Sequence, residues 1–194
     1  MRDLNRAFDS FPTLTTPRFR LRQVNTSDVP TIFRIRSDPK VMRYFGSNPI
    51  NTMFDAQKVA DEFLSSFHNK LGIRWIIALP DSDEMIGSCG FWRLIKPHYR
   101  AEIGYDLAPE YWGQGIMSEV LPVIADWGFR SMGLNSIEAQ IDPENAASRR
   151  VLEKCGFRQE GYFRQSYYQN GVFSDTAIFG LLASDWDELH PIAK

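Results

Sequence analysis

The sequence predicts a single mixed α/β domain built on one sheet, mostly antiparallel, with helices packed against it. Three observations lead there. A length of 194 residues suits one domain with a core large enough to do without disulfide or metal staples. Three strand-like segments follow one another between residues 73 and 107 with short connections, the pattern of an antiparallel meander. After them, helical and strand segments alternate, which builds a sheet flanked by helices.

Each element has its own signal. Residues 1–17, with Pro12, Pro17 and the threonine-rich TLTTP, read as an irregular lead-in. Residues 18–24 alternate polar and apolar, the period of a half-buried strand. Asn25, Thr26, Ser27 and Asp28 are helix-capping residues, and a short helix through Ile32, Phe33 and Ile35 stops at Asp38 and Pro39. Asn51 and Thr52 precede a longer helix whose apolar face carries Phe54, Val59, Phe63, Leu64 and Phe67. Residues 73–79, 85–95 and 99–107 are the three meander strands, separated by turns at Pro80, Asp81 and Ser82 and at Pro97 and His98.

A helix is expected over residues 116–132, with Ile116, Val120, Val123, Ile124 and Trp127 on its apolar face and Pro122 in an awkward interior position. Residues 136–141 read as a strand, and residues 142–155 as a helix ended by Gly156. Residues 157–164 and 177–182 are the last strands. The loop between them contains the hairpin signal Asn170-Gly171. The domain is expected to span residues 18–186, followed by a short tail over 187–194.

Composition narrows the function classes. Hydrophobic residues make up 43% and charged residues 24%, ordinary for a globular protein. No long apolar window and no apolar segment of signal-peptide type occur, so no membrane partner is expected. With 22 basic and 24 acidic side chains the net charge is −2, which lacks the overall basic field of a nucleic-acid binder. Cys89 and Cys155 show neither CxxC nor metal-ligand spacing, which suits two buried thiols and a cytoplasmic setting. His68, His98 and His190 are scattered, so no metal is expected.

The chemistry concentrates around LAPEYWGQGIM, residues 107–117. A strand ends, a glycine-rich turn follows and an amphipathic helix begins. The glycines permit a tight turn and close approach to a ligand, and the first helical amides lack intrahelical partners. With the helix dipole, such a terminus suits a pyrophosphate. An ordinary strand-to-helix turn would have the same residues.

Taken with AEIGYDL (101–107) and DPENAASRRVLEKCGF (142–157), this stretch resembles the GNAT superfamily of acetyl-CoA-dependent N-acetyltransferases. Within it, the chain looks most like the ribosomal-protein N-terminal acetyltransferases (the RimJ/RimL type) and their small-molecule-modifying relatives. The resemblance covers about residues 18–186 and implies a splayed mixed sheet with acetyl-CoA as cosubstrate. The family pyrophosphate loop, Gln/Arg-x-x-Gly-x-Gly/Ala, falls on residues 110–115. Both glycines match, whereas Glu110 stands where Gln or Arg is usual. A carboxylate would repel pyrophosphate, so its side chain is expected to point away and the backbone amides to bind.

The resemblance assigns cosubstrate contacts to Leu107, Tyr111, Trp112, Gly113, Gln114, Gly115, Ile116, Met117 and Asn145. It places Ser148 near the CoA sulfur, where its hydroxyl can protonate the thiolate, and an oxyanion-binding amide near Leu107. Asn145 and Ser148 share a helix face by their i, i+3 spacing, although Asn145 is also an ordinary helix-start residue. Arg149 and Arg150 suit either CoA phosphates or a solvated helix face.

Glu102 occupies the strand position where many family members carry a glutamate that takes the proton of the attacking amine. A solvent-facing strand carboxylate is the other reading of that residue. Asp175 is the second candidate for base or acceptor contact, and Tyr105 a candidate acid or site wall. The acceptor is expected to be a primary amine, either a protein N-terminus or a small molecule. It is expected to bind through residues 38–55 and 165–176. The sequence leaves the choice between monomer and homodimer open. A CoA-binding sensor without catalysis is the alternative. A Rossmann-type dinucleotide enzyme is disfavoured because the GxG motif comes late and lacks a third glycine.

Overall fold

The structure, a computed structural model, describes residues 4–191. Its strands are β1 (Leu14–Thr15), β2 (Arg20–Arg22), β3 (Ile73–Ala78), β4 (Met85–Ile95), β5 (Arg100–Leu107), β6 (Ser136–Ile141), β7 (Arg158–Gln169) and β8 (Val172–Leu182). Among the described residues they form one eight-stranded sheet in the order β1-β2-β3-β4-β5-β6-β8-β7. Only β5 and β6 run parallel, and only at Arg100↔Ser136, Ala101↔Ile137 and Glu102↔Glu138. The helices are α1 (Val29–Ser37), α2 (Pro39–Met42), α3 (Met53–His68), α4 (Ile116–Trp127), α5 (Ala146–Lys154) and α6 (Ala183–Leu189). Among the described residues, no helix is long and apolar enough to cross a membrane.

Two apolar layers sandwich the sheet. On one face α4 and α5 bury Val120, Leu121, Ile124 and Leu152 against Trp75, Ile77, Ala101 and Ile103. On the other, α1 and α3 bury Ile32, Ile35, Ala56 and Ala60 against Ile76 and Met85. Covered on both sides, β3 is buried almost throughout, which explains its continuous apolar run IRWIIA. Helix α3 begins with a capping box. Thr52 Oγ1 accepts from Asp55 N at 3.1 Å, and Asp55 Oδ2 accepts from Thr52 N at 3.2 Å.

Several boundaries differ from expectation. The lead-in is not irregular: Leu4–Phe8 form a 3-10 helix that buries Leu4 and Phe8, and β1 pairs with β2. The expected helix over 116–132 keeps Pro122 inside α4 but finishes as a π-helical turn, Gly128–Met132. A Cβ on Gly128 would come within 2.6 Å of the Phe91 ring, so this turn sits too close to the sheet for any larger residue. The helix expected from residue 142 starts at Ala146, with Asn145 as its cap.

The segment 165–176 is not a loop. Strands β7 and β8 continue through it to a two-residue turn at Asn170 (φ 50°) and Gly171 (φ 83°), the left-handed pair of a type I′ hairpin. At the other end, α6 runs through the expected boundary at residue 186. Trp186 is buried there, donates to Asp126 Oδ1 at 2.9 Å and stacks on His190. Residues 192–194 of the expected tail lie outside the described residues.

The buried ion pair of β2 ties the first helical layer to the sheet. Arg22 meets Asp28 through two parallel bonds of 2.8 Å, and Asp28 also accepts from Asn25 N at 2.8 Å. Both side chains are buried, and Arg22 also meets Asp83 Oδ1 at 2.8 Å, so removing Asp28 takes away one of its two carboxylates. Asp28→Ala is expected to lower the unfolding free energy by about 1–3 kcal/mol in urea titration. A loss under about 1 kcal/mol would show that Asp83 alone suffices to pair Arg22.

Candidate active site

The site begins where β5 and β6 separate. Past Glu102 and Glu138 the parallel ladder stops. β6 continues against β8 as far as Ile141↔Ala177, and β5 against β4 as far as Leu107↔Gly87. A cavity of about 860 Å³ occupies the region. Ile103, Tyr105 and Leu107 line it together with Glu102, Gly104 and Asp106. Successive strand residues point to opposite faces, so the cavity passes through the sheet and has one end in each helical layer.

On the α4–α5 side, the glycine turn forms the mouth. Tyr111, Trp112, Gly113, Gln114, Gly115, Ile116 and Met117 all line it. Gly113 and Gly115 both have φ of 73°, and a Cβ on either would meet nothing within 4 Å. The glycines therefore serve backbone conformation and leave the approach open. The first backbone bond of α4 runs from Glu119 N to Gly115 O at 3.2 Å, so the amides of residues 116–118 precede it without intrahelical acceptors.

The loop holds its own shape. Trp112 Nε1 donates to Leu107 O at 2.9 Å, and Gln114 Nε2 to Glu110 O at 2.8 Å. The Glu110 carboxylate is ion-paired with Arg34 and is not part of the cavity wall. Open space, unpaired amides and a displaced carboxylate fit a pyrophosphate.

Deeper in, Asn145 and Ser148 line the cavity from α5. Asn145 Oδ1 caps the helix by accepting from Ser148 N at 3.0 Å. The Ser148 and Tyr105 hydroxyls lie 2.7 Å apart, joining α5 to β5 across the opening between the strands. Burial raises the Tyr105 pKa well above the usual phenol value, against a smaller opposing effect of the Ser148 bond. Of the two arginines beside Ser148, Arg150 lines the cavity, whereas Arg149 donates to Gln159 at 2.8 Å.

On the α1–α3 side, Glu102 is buried rather than solvent-facing, with 7% of its surface exposed. Burial raises its pKa to about 7, against the opposing pull of Arg93, whose Nη1 lies 2.9 Å from Oε2. Asp175 is placed elsewhere. It does not line the cavity, and its oxygens accept from the Tyr162 hydroxyl and from Gln165 N. These bonds hold its pKa below the usual carboxylate range. Its place on β8, where the hairpin turns outward, replaces the loop position that suggested an acceptor contact.

A buried cluster that sequence reading missed forms the wall beside Glu102. Asp106 Oδ2 meets Arg36 Nη2 at 2.8 Å and Arg74 Nη2 at 3.1 Å, and its Oδ1 accepts from Ser88 Oγ at 2.8 Å. Burial alone would raise the Asp106 pKa; the two guanidiniums and Ser88 reverse this and hold it low. No spacing in the chain marks these four residues, which come from α1, β3, β4 and β5. The two segments expected to hold the acceptor do meet. Tyr167 donates to Gly46 O, and Gln169 and Asn170 donate to Asn48 Oδ1 at 3.1 and 2.8 Å. Among the described residues, no cluster of three or more His, Cys, Asp or Glu could hold a metal.

The profile of the acetyltransferase (GNAT) domain matches residues 18–158. The chain belongs to the GNAT acetyltransferase family. It is 40% identical over 172 residues to the uncharacterized N-acetyltransferase YoaA of Bacillus subtilis, covering 89% of this chain and 97% of that protein. Its fold matches Mycobacterium smegmatis RimJ in complex with CoA-disulfide. There the TM-score is 0.80 at 24% identity, over 95% of this chain and 90% of that one. It also matches a spermidine N-acetyltransferase from Vibrio cholerae solved with CoA and spermine. That match has a TM-score of 0.77 at 21% identity, over 87% and 98% of the two chains. The GNAT domain makes this chain an acetyl-CoA-dependent acetyltransferase.

The raised pKa of Glu102 has a consequence that needs no substrate. The folded state holds its proton more tightly than the unfolded chain. The stability tied to that proton is fully present below the ordinary glutamate pKa and is lost as pH rises through about 7. Glu102→Gln cannot ionise. Its melting temperature should therefore gain on wild type between about pH 4.5 and pH 8. Parallel melting curves across that range would show the carboxylate to be solvated instead.

Proposed function

We propose that this GNAT enzyme acetylates a peptide N-terminal α-amine, with Glu102 as the base. One observation carries the reading. Glu102 is a buried carboxylate with a pKa near 7, on the cavity wall that faces α1 and α3, while the Ser148–Tyr105 hydroxyl pair approaches from α5. An α-amine has a pKa of about 8 and an alkylamine about 10.4. A base near 7 is matched to the first and far less to the second.

In this reading the amides of Gly113, Gly115, Ile116 and Met117 hold the pyrophosphate. Tyr111, Trp112 and Gln114 shape the loop, and Asn145 bonds the pantetheine arm. When bound, acetyl-CoA supplies the electrophilic thioester carbonyl and a thiolate leaving group. Glu102 takes the proton from the amine. The edge of β5 that β6 leaves unpaired, near Leu107, supplies an N–H to the thioester oxygen. Ser148, hydrogen-bonded to Tyr105, donates a proton to the departing sulfur.

Glu102→Gln is expected to lower kcat by about 10²–10⁴-fold on a peptide substrate and to remove the acidic limb of the kcat/KM profile. That limb should lie near pH 7 in the wild type. A wild-type profile retained by the variant would place the base elsewhere. For the cosubstrate, Gly113→Val puts a branched residue at a φ of 73° in the loop. Saturating CoA should raise the melting temperature of the wild type and leave that of the variant unchanged. An undiminished shift in the variant would move the pyrophosphate away from this turn.

A further inference from the structure

The wall beside Glu102 contains two N–H donors that the transfer chemistry does not use. Alternate residues of β5 share a face, so Glu102, Gly104 and Asp106 look in the same direction. Gly104 has no side chain, which leaves a notch between the two carboxylates. A Cβ on Gly104 would lie 3.7 Å from Arg74 Nη1 and 3.7 Å from Trp92 Nε1. Two donors from different strands therefore converge on one point of the cavity wall.

The guanidinium that supplies the first donor is fixed. Arg74 Nε donates to Ser88 Oγ at 2.9 Å and Nη2 to Asp106 Oδ2 at 3.1 Å, which sets the plane of the group and turns Nη1 toward the notch. Trp92 lies directly across the ladder from Glu102, which puts its side chain on the same face as the base, with the ring about half exposed. Among the described residues neither Arg74 Nη1 nor Trp92 Nε1 donates to another group. All four residues line the same cavity. A pair of donors without a protein acceptor, one of them on a fixed guanidinium, favours a ligand oxygen, because each N–H loses water when the site is filled.

We infer that Arg74 Nη1 and Trp92 Nε1 bind an sp² oxygen carried on the carbon next to the amine-bearing carbon of the acceptor. The site thereby selects α-amino carbonyl or α-amino carboxylate compounds over simple alkylamines. The inference rests on the assignment of Glu102 as base. Alternate strand residues are roughly 6–7 Å apart. A hydrogen bond of about 3 Å from Glu102 to the amine, and the roughly 3 Å between the nitrogen and oxygen of one N–Cα–C=O unit, together cover that interval to an oxygen over Gly104. A peptide carbonyl and a free carboxylate share this chemistry. The carboxylate draws more on the charge of Arg74, and the peptide on the neutral Trp92 donor.

The test compares three acceptors at saturating acetyl-CoA: an alanyl peptide, free alanine and butane-1,4-diamine, which has no oxygen. Trp92→Phe removes the N–H and keeps a ring. Gly104→Ala fills the notch with a methyl at ordinary contact distances and at a backbone conformation open to alanine. CoA-induced thermal stabilisation verifies that each variant is folded. In Trp92→Phe, kcat/KM for the peptide relative to the diamine should fall about 3–10-fold, mostly through KM. In Gly104→Ala it should fall further. In the wild type, a higher kcat/KM for alanine than for the peptide would identify the carboxylate as the natural group, and the reverse the carbonyl. Equal losses for all three acceptors, or wild-type turnover of the diamine alone, would overturn the inference and leave acetyl transfer intact. No turnover of any amine by the wild type would overturn both readings.

Discussion

Strands β5 and β6 part company after one short parallel ladder, and the geometry of the site follows from that separation. β6 is held by β8 along its whole length, from Ser136↔Leu182 to Ile141↔Ala177. β5 is held equally by β4. Each strand satisfies its outer edge, and beyond Glu102 and Glu138 neither satisfies its inner one. Buried main-chain groups are costly to leave unpaired, so the opening suits a molecule able to bond to main chain. It also lets a cavity cross the sheet, which brings the Ser148–Tyr105 pair and Glu102 to one space from opposite layers.

Two devices keep the opening from collapsing. The Tyr105–Ser148 contact spans it on the α5 side. On the other side, Asp106 gathers Arg36 from α1, Arg74 from β3 and Ser88 from β4. Asp106 is buried between the two guanidiniums, so its removal would leave both without that carboxylate. Aromatic rings brace it further: Arg36 lies 3.9 Å from the centroid of Phe45, and Arg74 5.2 Å from that of Phe63. The acceptor wall is thus braced from three strands and a helix, and burial of Glu102 beside it pushes its pKa up to about 7.

Where sequence reading failed, the cause was the solvation of the element. Strand β7 is exposed or half-exposed along its whole length, so neither alternation nor an apolar run marks its outer half. Only the Asn170-Gly171 turn was visible, and it was correctly read as a hairpin signal whose strands then proved longer. Asp175 was misplaced for the same reason. The 3-10 helix at Leu4–Phe8 is too short to display a period, and its two buried side chains are fixed by contacts with distant residues such as Phe67.

The order of elements, the glycine turn before an amphipathic helix, and the residues from which a GNAT fold could be recognised are local properties of the chain. They depend on dihedral preference, capping and periodicity, which act over a few residues, and they were legible without coordinates. The burial of Glu102, the pairing of Tyr105 with Ser148 and the Asp106 cluster were not. Each joins residues separated by tens of positions, and each depends on where β5 leaves β6. A carboxylate on a strand has an ordinary pKa in the sequence. Only the packing of the rest of the chain around that strand takes water away from it, and desolvation is a property of the assembled fold.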